Sequence, residues 1–195
     1  MSYNGTSDAA LRAAMRRVAD GETEAFRLVA EVLEPRLTRM FSQMGVSWAD
    51  CEDLFQESCL RIFRAAGSYD ANRPFLPWAL TVARRVMLNW LRARKPTVPL
   101  EEAGQVPDRR ASPADGAGRD IWEFARQRLS GQAYELLWLR YGENLGPSEI
   151  ASITRRTPVH VRVLLHRARH ALATVLEKEG VMPKGGVKCE LKNDG

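Results

Sequence analysis

Three stretches decide the fold of this chain: Asp53-Leu54-Phe55-Gln56-Glu57, Phe75-Leu76-Pro77-Trp78 and Arg92-Ala93-Arg94-Lys95. The first lies in an acidic segment with helical apolar spacing, and the other two lie at the start and the end of a basic segment that carries tryptophan. An acidic helix face suits a protein partner, and a basic face with aromatic rings suits unpaired nucleic acid. The sequence therefore predicts an adaptor that contacts both, rather than an enzyme.

Apolar residues follow helical spacing along nearly the whole chain, and no segment alternates with a period of two. We therefore predict an all-α protein with two small helical domains. The first is expected at residues 1–95 and the second at 120–180, joined by a flexible linker at 96–119 that is rich in Pro, Gly and Asp. A polar tail follows at 181–195.

The first domain is expected to hold helices over 8–20, from Thr23 onwards, from the N-cap Ser47 onwards and over 78–94. Pro35 is expected to kink or divide the second of these helices. The third helix is predicted to bury one stripe and to expose another. The buried stripe comprises Phe55, Cys59, Ile62, Phe63 and Ala66, and the exposed stripe comprises Asp53, Gln56, Glu57, Leu60 and Arg64.

The second domain has a helix-turn-helix outline. A short helix begins at Pro147, a turn follows at 154–156, and Thr157 with Pro158 caps and opens a helix that ends near residue 176. From residue 159 to residue 176 this last helix has no acid but carries arginines and histidines, so it suits the phosphates of DNA.

Composition excludes several classes of function. The net charge of +5 is mild, but the basic residues are clustered, so nucleic acid is a candidate partner. Cys51, Cys59 and Cys189 lack CxxC spacing, so neither disulfides nor a zinc site is expected, and a reducing cytoplasm is the expected compartment. No apolar run is long enough to span a bilayer, and residues 1–20 lack the apolar core of a signal peptide, so no membrane insertion is expected.

Catalysis and cofactor binding are not expected either. The sequence has no Gly-rich phosphate loop, no paired His-and-acid cluster and no activated nucleophile. His166 and His170 have the i, i+4 spacing of zinc ligands, but no acid lies nearby on the helix to complete a site. No metal is therefore expected.

The motifs resemble those of bacterial RNA polymerase sigma factors of the extracytoplasmic-function (ECF) type. Residues 53–57 are similar to the family's DLxQE signature, and residues 75–85 are similar to its FxxWLxxIARN segment. Residues 149–151 and 166–169 are similar to its EIA and RAR segments. Each motif is weak alone, but the three segments in the family's order, divided by a linker, form a specific signal.

The resemblance implies a subunit that docks on core RNA polymerase, directs it to promoter DNA and helps to melt the duplex. An anti-sigma factor is a further implied partner. The residues implied for polymerase binding are Asp53, Gln56, Glu57 and Leu60. The residues implied for the -10 element are Tyr69, Asn72, Arg73, Trp78, Arg84, Arg85, Asn89, Arg92, Arg94 and Lys95. The residues implied for the -35 element are Arg155, Arg156, Thr157, His160, Arg162, His166, Arg167 and Arg169.

Some of these assignments compete with ordinary structural roles. Tryptophan at helical spacing is more often part of a core than a platform for a base, so packing is the stronger expectation for Trp78. Acidic runs are more often solvated helix faces than binding sites, but here the similarity to DLxQE favours binding. A stand-alone helix-turn-helix regulator that does not bind polymerase stays open as the alternative function.

The chain also departs from the family pattern in both implied DNA-binding helices. Asn89 stands where the family commonly has Asp. His160, Val163 and Leu164 stand at positions of Thr, Ser and Arg. The last helix is therefore expected to bind phosphate more weakly or to prefer a sequence with thymine methyl groups. Leu164 is expected to cover a partner surface instead.

Overall fold

The structure is a computed structural model that describes residues 2–3, 6–94 and 116–179. Helices dominate the described residues, which confirms the all-α prediction, and one antiparallel pair of two-residue strands, β1 (Ser2–Tyr3) and β2 (Thr6–Ser7), precedes them. The N-terminal half (residues 6–94) holds α1 (Asp8–Ala19), α2 (Phe26–Gln43), α3 (Trp48–Arg64) and α4 (Phe75–Ala93). The C-terminal half (residues 116–179) holds α5 (Gly116–Arg128), α6 (Gly131–Leu137), α7 (Pro147–Thr154) and α8 (Pro158–Lys178).

The helix α2 runs through Pro35 without a break, so the expected division of this helix is wrong. Proline removes one hydrogen bond and crowds the preceding turn. Here the side chain of Pro35 is exposed, while Val32, Leu33 and Leu37 on either side of it are buried. Burial of these flanking side chains holds both parts of the helix against the core and offsets the lost bond.

The buried face of α3 is shifted from the predicted one. Ser58 lies at its centre and is fully buried, because its hydroxyl donates to the Leu54 carbonyl at 2.6 Å and is thereby satisfied. The buried residues of α3 are Cys51, Leu54, Ser58 and Ile62, whereas Phe55, Cys59 and Phe63 are only half-buried. The predicted stripe did not include Ser58, and two of its members, Ile62 and Ala66, are buried as expected.

The helix α4 begins at Phe75, three residues before the predicted start at Trp78. Phe75, Leu76 and Pro77 are all buried, and the burial of three consecutive residues fixes the first turn against the core. Pro77 has no N–H, so it removes one of the donors that a first helical turn leaves unpaired. The preceding residue, Pro74, supplies no side-chain cap.

The C-terminal half contains the predicted helix-turn-helix. At the start of α7 the Gly146 N–H donates to the Glu149 carboxylate at 2.7 Å. Arg155 takes a left-handed conformation with φ of 55° and turns the chain, and the Thr157 hydroxyl accepts from the His160 N–H at 3.2 Å to cap α8. Between α6 and α7 a π-helical turn, Trp138–Gly142, places Trp138 in a fully buried position.

The two halves pack against each other, chiefly through α4 and α7. Cations of the N-terminal half meet acids and rings of the C-terminal half across this interface. The polar contacts are Arg36 to Glu143 at 2.8 Å, Arg84 to Glu135 at 2.5 and 2.9 Å, the Tyr134 hydroxyl to the Gln43 carbonyl oxygen at 2.6 Å, and the Arg39 guanidinium 4.9 Å from the centre of a Trp138 ring. Burial raises the pKa of Glu143, and the neighbouring guanidinium groups of Arg36 and Arg39 oppose that rise.

Candidate protein and nucleic-acid interfaces

The residues predicted to bind polymerase form one surface of α3, which we call the acidic face: Asp53, Gln56, Glu57 and Leu60. Asp53 and Gln56 are exposed, and Leu60 keeps 49% of its surface exposed. Glu57 pairs with Arg61 one turn later at 2.6 Å. Because exposed i, i+4 pairs contribute little to stability, this carboxylate can exchange its partner for an arginine of another protein at small cost.

The predicted base-contacting loop, residues 69–73, is held by its own hydrogen bonds, and we call it the capture loop. The Tyr69 hydroxyl donates to the Arg73 carbonyl at 2.6 Å, and the Asn72 N–H donates to the Asp70 carboxylate at 3.0 Å. The Arg73 guanidinium lies 3.3 Å from the Asp70 carboxylate. Asn72 and Arg73 point their side chains into solvent, where a nucleotide can reach them.

Aromatic rings support the capture loop from beneath. The Tyr69 ring centre lies 4.6 Å from that of Trp78 and 5.8 Å from that of Phe75. Burial raises the pKa of the Tyr69 hydroxyl to about 12, so the hydroxyl stays protonated and keeps donating to the loop. Trp78 is half-buried and packs against the core, in keeping with the packing role that was the stronger expectation.

Arg85, Asn89 and Arg92 are exposed on one face of α4, and we call them the basic stripe. Their spacing of four and three residues places them in line along the helix. The Asn89 side-chain oxygen accepts from an Arg92 guanidinium nitrogen at 3.0 Å. Asn89 therefore still orients Arg92, although it stands where the family commonly has Asp.

Arg84 and Arg94 do not belong to the basic stripe, although both were predicted to contact DNA. Arg84 is half-buried and forms its paired hydrogen bonds with Glu135 across the interface between the halves. Arg94 forms two hydrogen bonds with Asp50 at 2.6 and 2.8 Å and lies over the Trp90 ring at 4.1 Å. Lys95 lies outside the described residues.

The last helix, α8, presents most of the residues predicted for the -35 element. Arg156 and Arg169 are half-buried, and the Arg156 guanidinium lies against the Gln132 amide. The exposed members of the predicted set are Arg155, Thr157, His160, Arg162, His166 and Arg167. Two valines that the prediction did not include lie among them, Val159 with 66% and Val163 with 43% of its surface exposed.

Leu164 lies between His160 and Arg167 on one stripe of α8, one turn from each. It is half-buried, packs against the core and lines a shallow groove together with Ala133 and Leu136 of α6. The leucine therefore serves the packing of the C-terminal half.

The histidine pair of α8 and the cysteines of α3 are further groups with a chemistry of their own. The rings of His166 and His170 lie 4.5 Å apart, but within the described residues no group of three His, Cys, Asp or Glu side chains is placed to hold a metal ion. Burial raises the pKa of the Cys51 and Cys59 thiols to about 11. None of the helices in residues 6–94 and 116–179 has the length and apolarity needed to cross a membrane.

Asp8 and Arg12 of α1 contact the capture loop and the start of α4, and the sequence analysis did not identify them. The Phe75 N–H donates to the Asp8 carboxylate at 2.9 Å, and an Arg12 guanidinium nitrogen donates to the Ala71 carbonyl at 3.2 Å. The partners lie 67 and 59 residues apart in the chain, so no local motif reveals them. The one feature of the sequence that could have pointed to them is Pro74. It precedes α4 without a capping side chain, so a cap from elsewhere in the chain is needed.

Comparisons with known proteins identify the family. Residues 29–97 match the model of the family "Sigma-70 region 2". The chain is 34% identical over 175 residues to the ECF RNA polymerase sigma factor SigF of Caulobacter vibrioides, covering 84% of this chain and 92% of that protein.

Two solved structures share the fold. They are CnrH in complex with the cytosolic domain of CnrY (TM-score 0.67, 19% identity, 87% of this chain and 99% of that chain) and the sigma factor RpoE in complex with the anti-sigma factor NepR from Bartonella quintana (TM-score 0.61, 18% identity, 78% and 96%). The identity to SigF extends along nearly all of that relative, and this chain therefore belongs to the family of ECF RNA polymerase sigma factors.

Proposed function

We propose that this protein is a sigma subunit that binds core RNA polymerase in the cytoplasm, directs it to specific promoters and assists melting of the promoter. It acts by binding and has no catalytic step of its own. The observation that carries the proposal is the position of the acidic face on α3 and of the basic stripe on α4, two helices that pack on each other within one half of the chain. A single small unit thereby contacts a protein and a nucleic acid side by side.

The acidic face supports binding to polymerase through its chemistry. Carboxylates on a rigid helix bind arginines of a partner in a directional way. The exposed Leu60 adds an apolar contact beside them. Charges surrounding a buried apolar contact are the usual composition of a protein interface.

The capture loop and the basic stripe support binding to the melted -10 strand. The capture loop precedes α4 and the basic stripe lies in its second half, and the rise of a helix places Phe75, at the start of α4, about 26 Å from Arg92. Guanidinium groups along the helix neutralise backbone phosphates, while the loop at its far end offers polar groups to an unpaired base. This length suits a run of several nucleotides.

The exposed face of α8 supports binding to the -35 duplex. The helix begins with its Thr157 cap on the surface, and its first turns carry Val159, His160, Arg162 and Val163 toward solvent. The N-terminal turns of the second helix in a helix-turn-helix enter the major groove. Arginine there binds guanine or phosphate, and valine contacts the thymine methyl group.

An anti-sigma factor is a proposed partner as well. The RpoE structure similar to this chain was determined in complex with an anti-sigma factor. A partner that covers the acidic face would keep the protein from polymerase. The exposed Leu60 gives such a partner an apolar contact.

The test of the proposal is co-sedimentation of the purified chain with bacterial core RNA polymerase that lacks sigma. The parent protein is expected to form a complex. The variant Gln56→Ala with Glu57→Lys is expected to bind at least about tenfold more weakly, because the new lysine cancels the charge of Asp53 and leaves the acidic face without net charge. The matched control is Glu31→Lys, which reverses an exposed acid on α2 that pairs only with Arg27 at 3.6 Å. It should bind as the parent does.

Two results would contradict this assignment. Equal binding by the parent and the double variant would remove the acidic face from the polymerase interface. No complex with either protein, under conditions in which another sigma factor binds, would favour the stand-alone helix-turn-helix regulator.

A further inference from the structure

The first turn of α4 lacks a local cap, and α1 supplies it from a distance. A helix leaves its first N–H groups without partners inside the helix, and a side-chain oxygen usually binds one of them. Pro74 precedes α4 and has no such oxygen. The Asp8 carboxylate accepts the Phe75 N–H at 2.9 Å instead, and only 15% of the Asp8 side chain is exposed.

The same carboxylate group orients a second contact to the capture loop. The other Asp8 oxygen lies 3.0 Å from the Arg12 Nε atom, one turn along α1. A terminal nitrogen of Arg12 then donates to the Ala71 carbonyl at 3.2 Å, in the middle of the loop. One ion pair therefore fixes both the centre of the capture loop and the helix into which it leads.

We propose that Asp8 and Arg12 are positioning residues for recognition of the melted -10 strand. Neither needs to touch DNA. Ordering a loop when a ligand binds costs conformational entropy, and a loop that folding has already ordered does not incur this cost at binding. The Asp8–Arg12 pair holds the loop in place before DNA arrives.

The location of the pair makes the inference specific to this part of the molecule. Asp8 and Arg12 lie outside residues 29–97, which match the family model. They also lie on a different helix, α1, from the acidic face, which lies on α3. Their loss should therefore change DNA capture without changing polymerase binding, and this difference separates positioning from general stability. The inference rests on the proposed role of the capture loop in binding the -10 strand.

The test uses holoenzyme assembled from core RNA polymerase and the full chain. A single-stranded DNA 12-mer is first selected by the parent holoenzyme from a randomised pool, and binding is then measured by fluorescence anisotropy. Asp8→Ala is expected to lower the affinity for this oligonucleotide about tenfold. This factor corresponds to the free energy that the loss of one helix cap typically costs. Asp8→Asn keeps an oxygen acceptor and is expected to retain more affinity than Asp8→Ala.

Hydrogen exchange and a matched control variant show whether the loss of affinity comes from the cap on α4. The Phe75 amide is expected to exchange faster in Asp8→Ala than in the parent, because its acceptor is gone. Arg12→Ala should weaken DNA binding while leaving this amide protected. Arg17→Ala removes another ion pair of α1, to Glu22 at 2.7 Å, and should alter neither measurement.

Three outcomes would overturn the inference. If Asn72→Ala and Arg73→Ala weaken binding but Asp8→Ala and Arg12→Ala do not, the pair has no positioning role. If Asp8→Ala weakens polymerase binding as much as DNA binding, the residue serves only the fold. If the loop variants leave DNA binding unchanged as well, the proposed function of the capture loop itself is wrong, and the inference falls with it.

Discussion

Gly142 lies directly against the indole of Trp138, which is fully buried in the C-terminal half. A Cβ atom at this position would come within 2.8 Å of the ring. The Trp138 ring is also held by Trp122, with ring centres 4.9 Å apart, and by the Arg39 guanidinium. Because a ring fixed on several sides does not move aside easily, the position demands glycine for lack of space.

Gly142→Ala is therefore expected to lower the free energy of unfolding by about 1 to 3 kcal/mol, the usual cost of overpacking a core. Urea denaturation measures it. The control is Gly131→Ala at the start of α6, where an added Cβ atom meets nothing within 4 Å. This second variant should be as stable as the parent or slightly more stable. Equal stability of the two variants would show that the Trp138 ring moves to make room for the added methyl group.

On the scale of an element, the first turns of α8 combine exposed valines with an exposed arginine. Val159 and Val163 lie one turn apart and keep 66% and 43% of their surfaces exposed. A valine on the surface of a DNA-binding helix gains most from the C5 methyl group of thymine. The proposed -35 surface of this chain should therefore depend on thymine more than an arginine-rich helix does.

We expect replacement of thymine by uracil in a selected -35 duplex to weaken binding of the parent holoenzyme, because uracil lacks the methyl group. The same replacement should have little effect on Val163→Ala, and the coupling between the two changes is read from a double-mutant cycle. Electrophoretic mobility shift or anisotropy supplies the four affinities. Additive effects would show that Val163 does not touch the methyl group.

The helices themselves were largely predictable from the sequence. Ser47 and Thr157 cap helices at the predicted positions because capping depends on residues within one turn. The expected division of α2 at Pro35 is wrong because the packing of the flanking residues outweighed the propensity of proline. The buried stripe of α3 was displaced because Ser58 is buried with its hydroxyl bonded to the Leu54 carbonyl. The early start of α4 was missed because its cap, Asp8, lies far away in the chain.

The candidate surfaces were predictable to the extent that they follow one helix face. The acidic face lies where the helical period puts it. The period did not indicate that Arg84 would be paired with Glu135, or that Arg94 would be paired with Asp50, since both pairs join distant segments. Charge partners are set by how elements pack, and the packing is what a single sequence does not display.

On the scale of the whole molecule, the interface between the halves restricts what the protein can bind at once. A compact body of the size of residues 6–94 and 116–179 is about 40 Å across. By their positions the -10 and -35 elements lie about 25 base pairs apart, which is about 85 Å along the duplex at about 3.4 Å per base pair. The two proposed DNA surfaces therefore cannot occupy one promoter until the halves separate and the bond between Arg84 and Glu135 breaks.

Two variants that break the same bond are expected to have different effects. Arg84→Ala removes a cation that becomes available to phosphate once the halves separate, so formation of open promoter complexes should fall more than polymerase binding does. Glu135→Gln removes only the competitor for that cation and should leave promoter complexes unchanged or increase them. Permanganate footprinting of the melted strand measures both. An equal loss in the two variants would show that the bond itself is required.

The pairing of Arg84 with a carboxylate also affects the fraction of the free protein that is bound to non-specific DNA in the cell. A cation that binds a DNA phosphate displaces bound counterions. Each such contact makes the slope of log affinity against log salt concentration more negative by about 0.9. The Arg84 guanidinium, while it is paired with Glu135, binds no phosphate and releases no counterions. While its two halves are packed together, the protein therefore binds non-specific chromosomal DNA less strongly. A larger share of it stays free to bind polymerase.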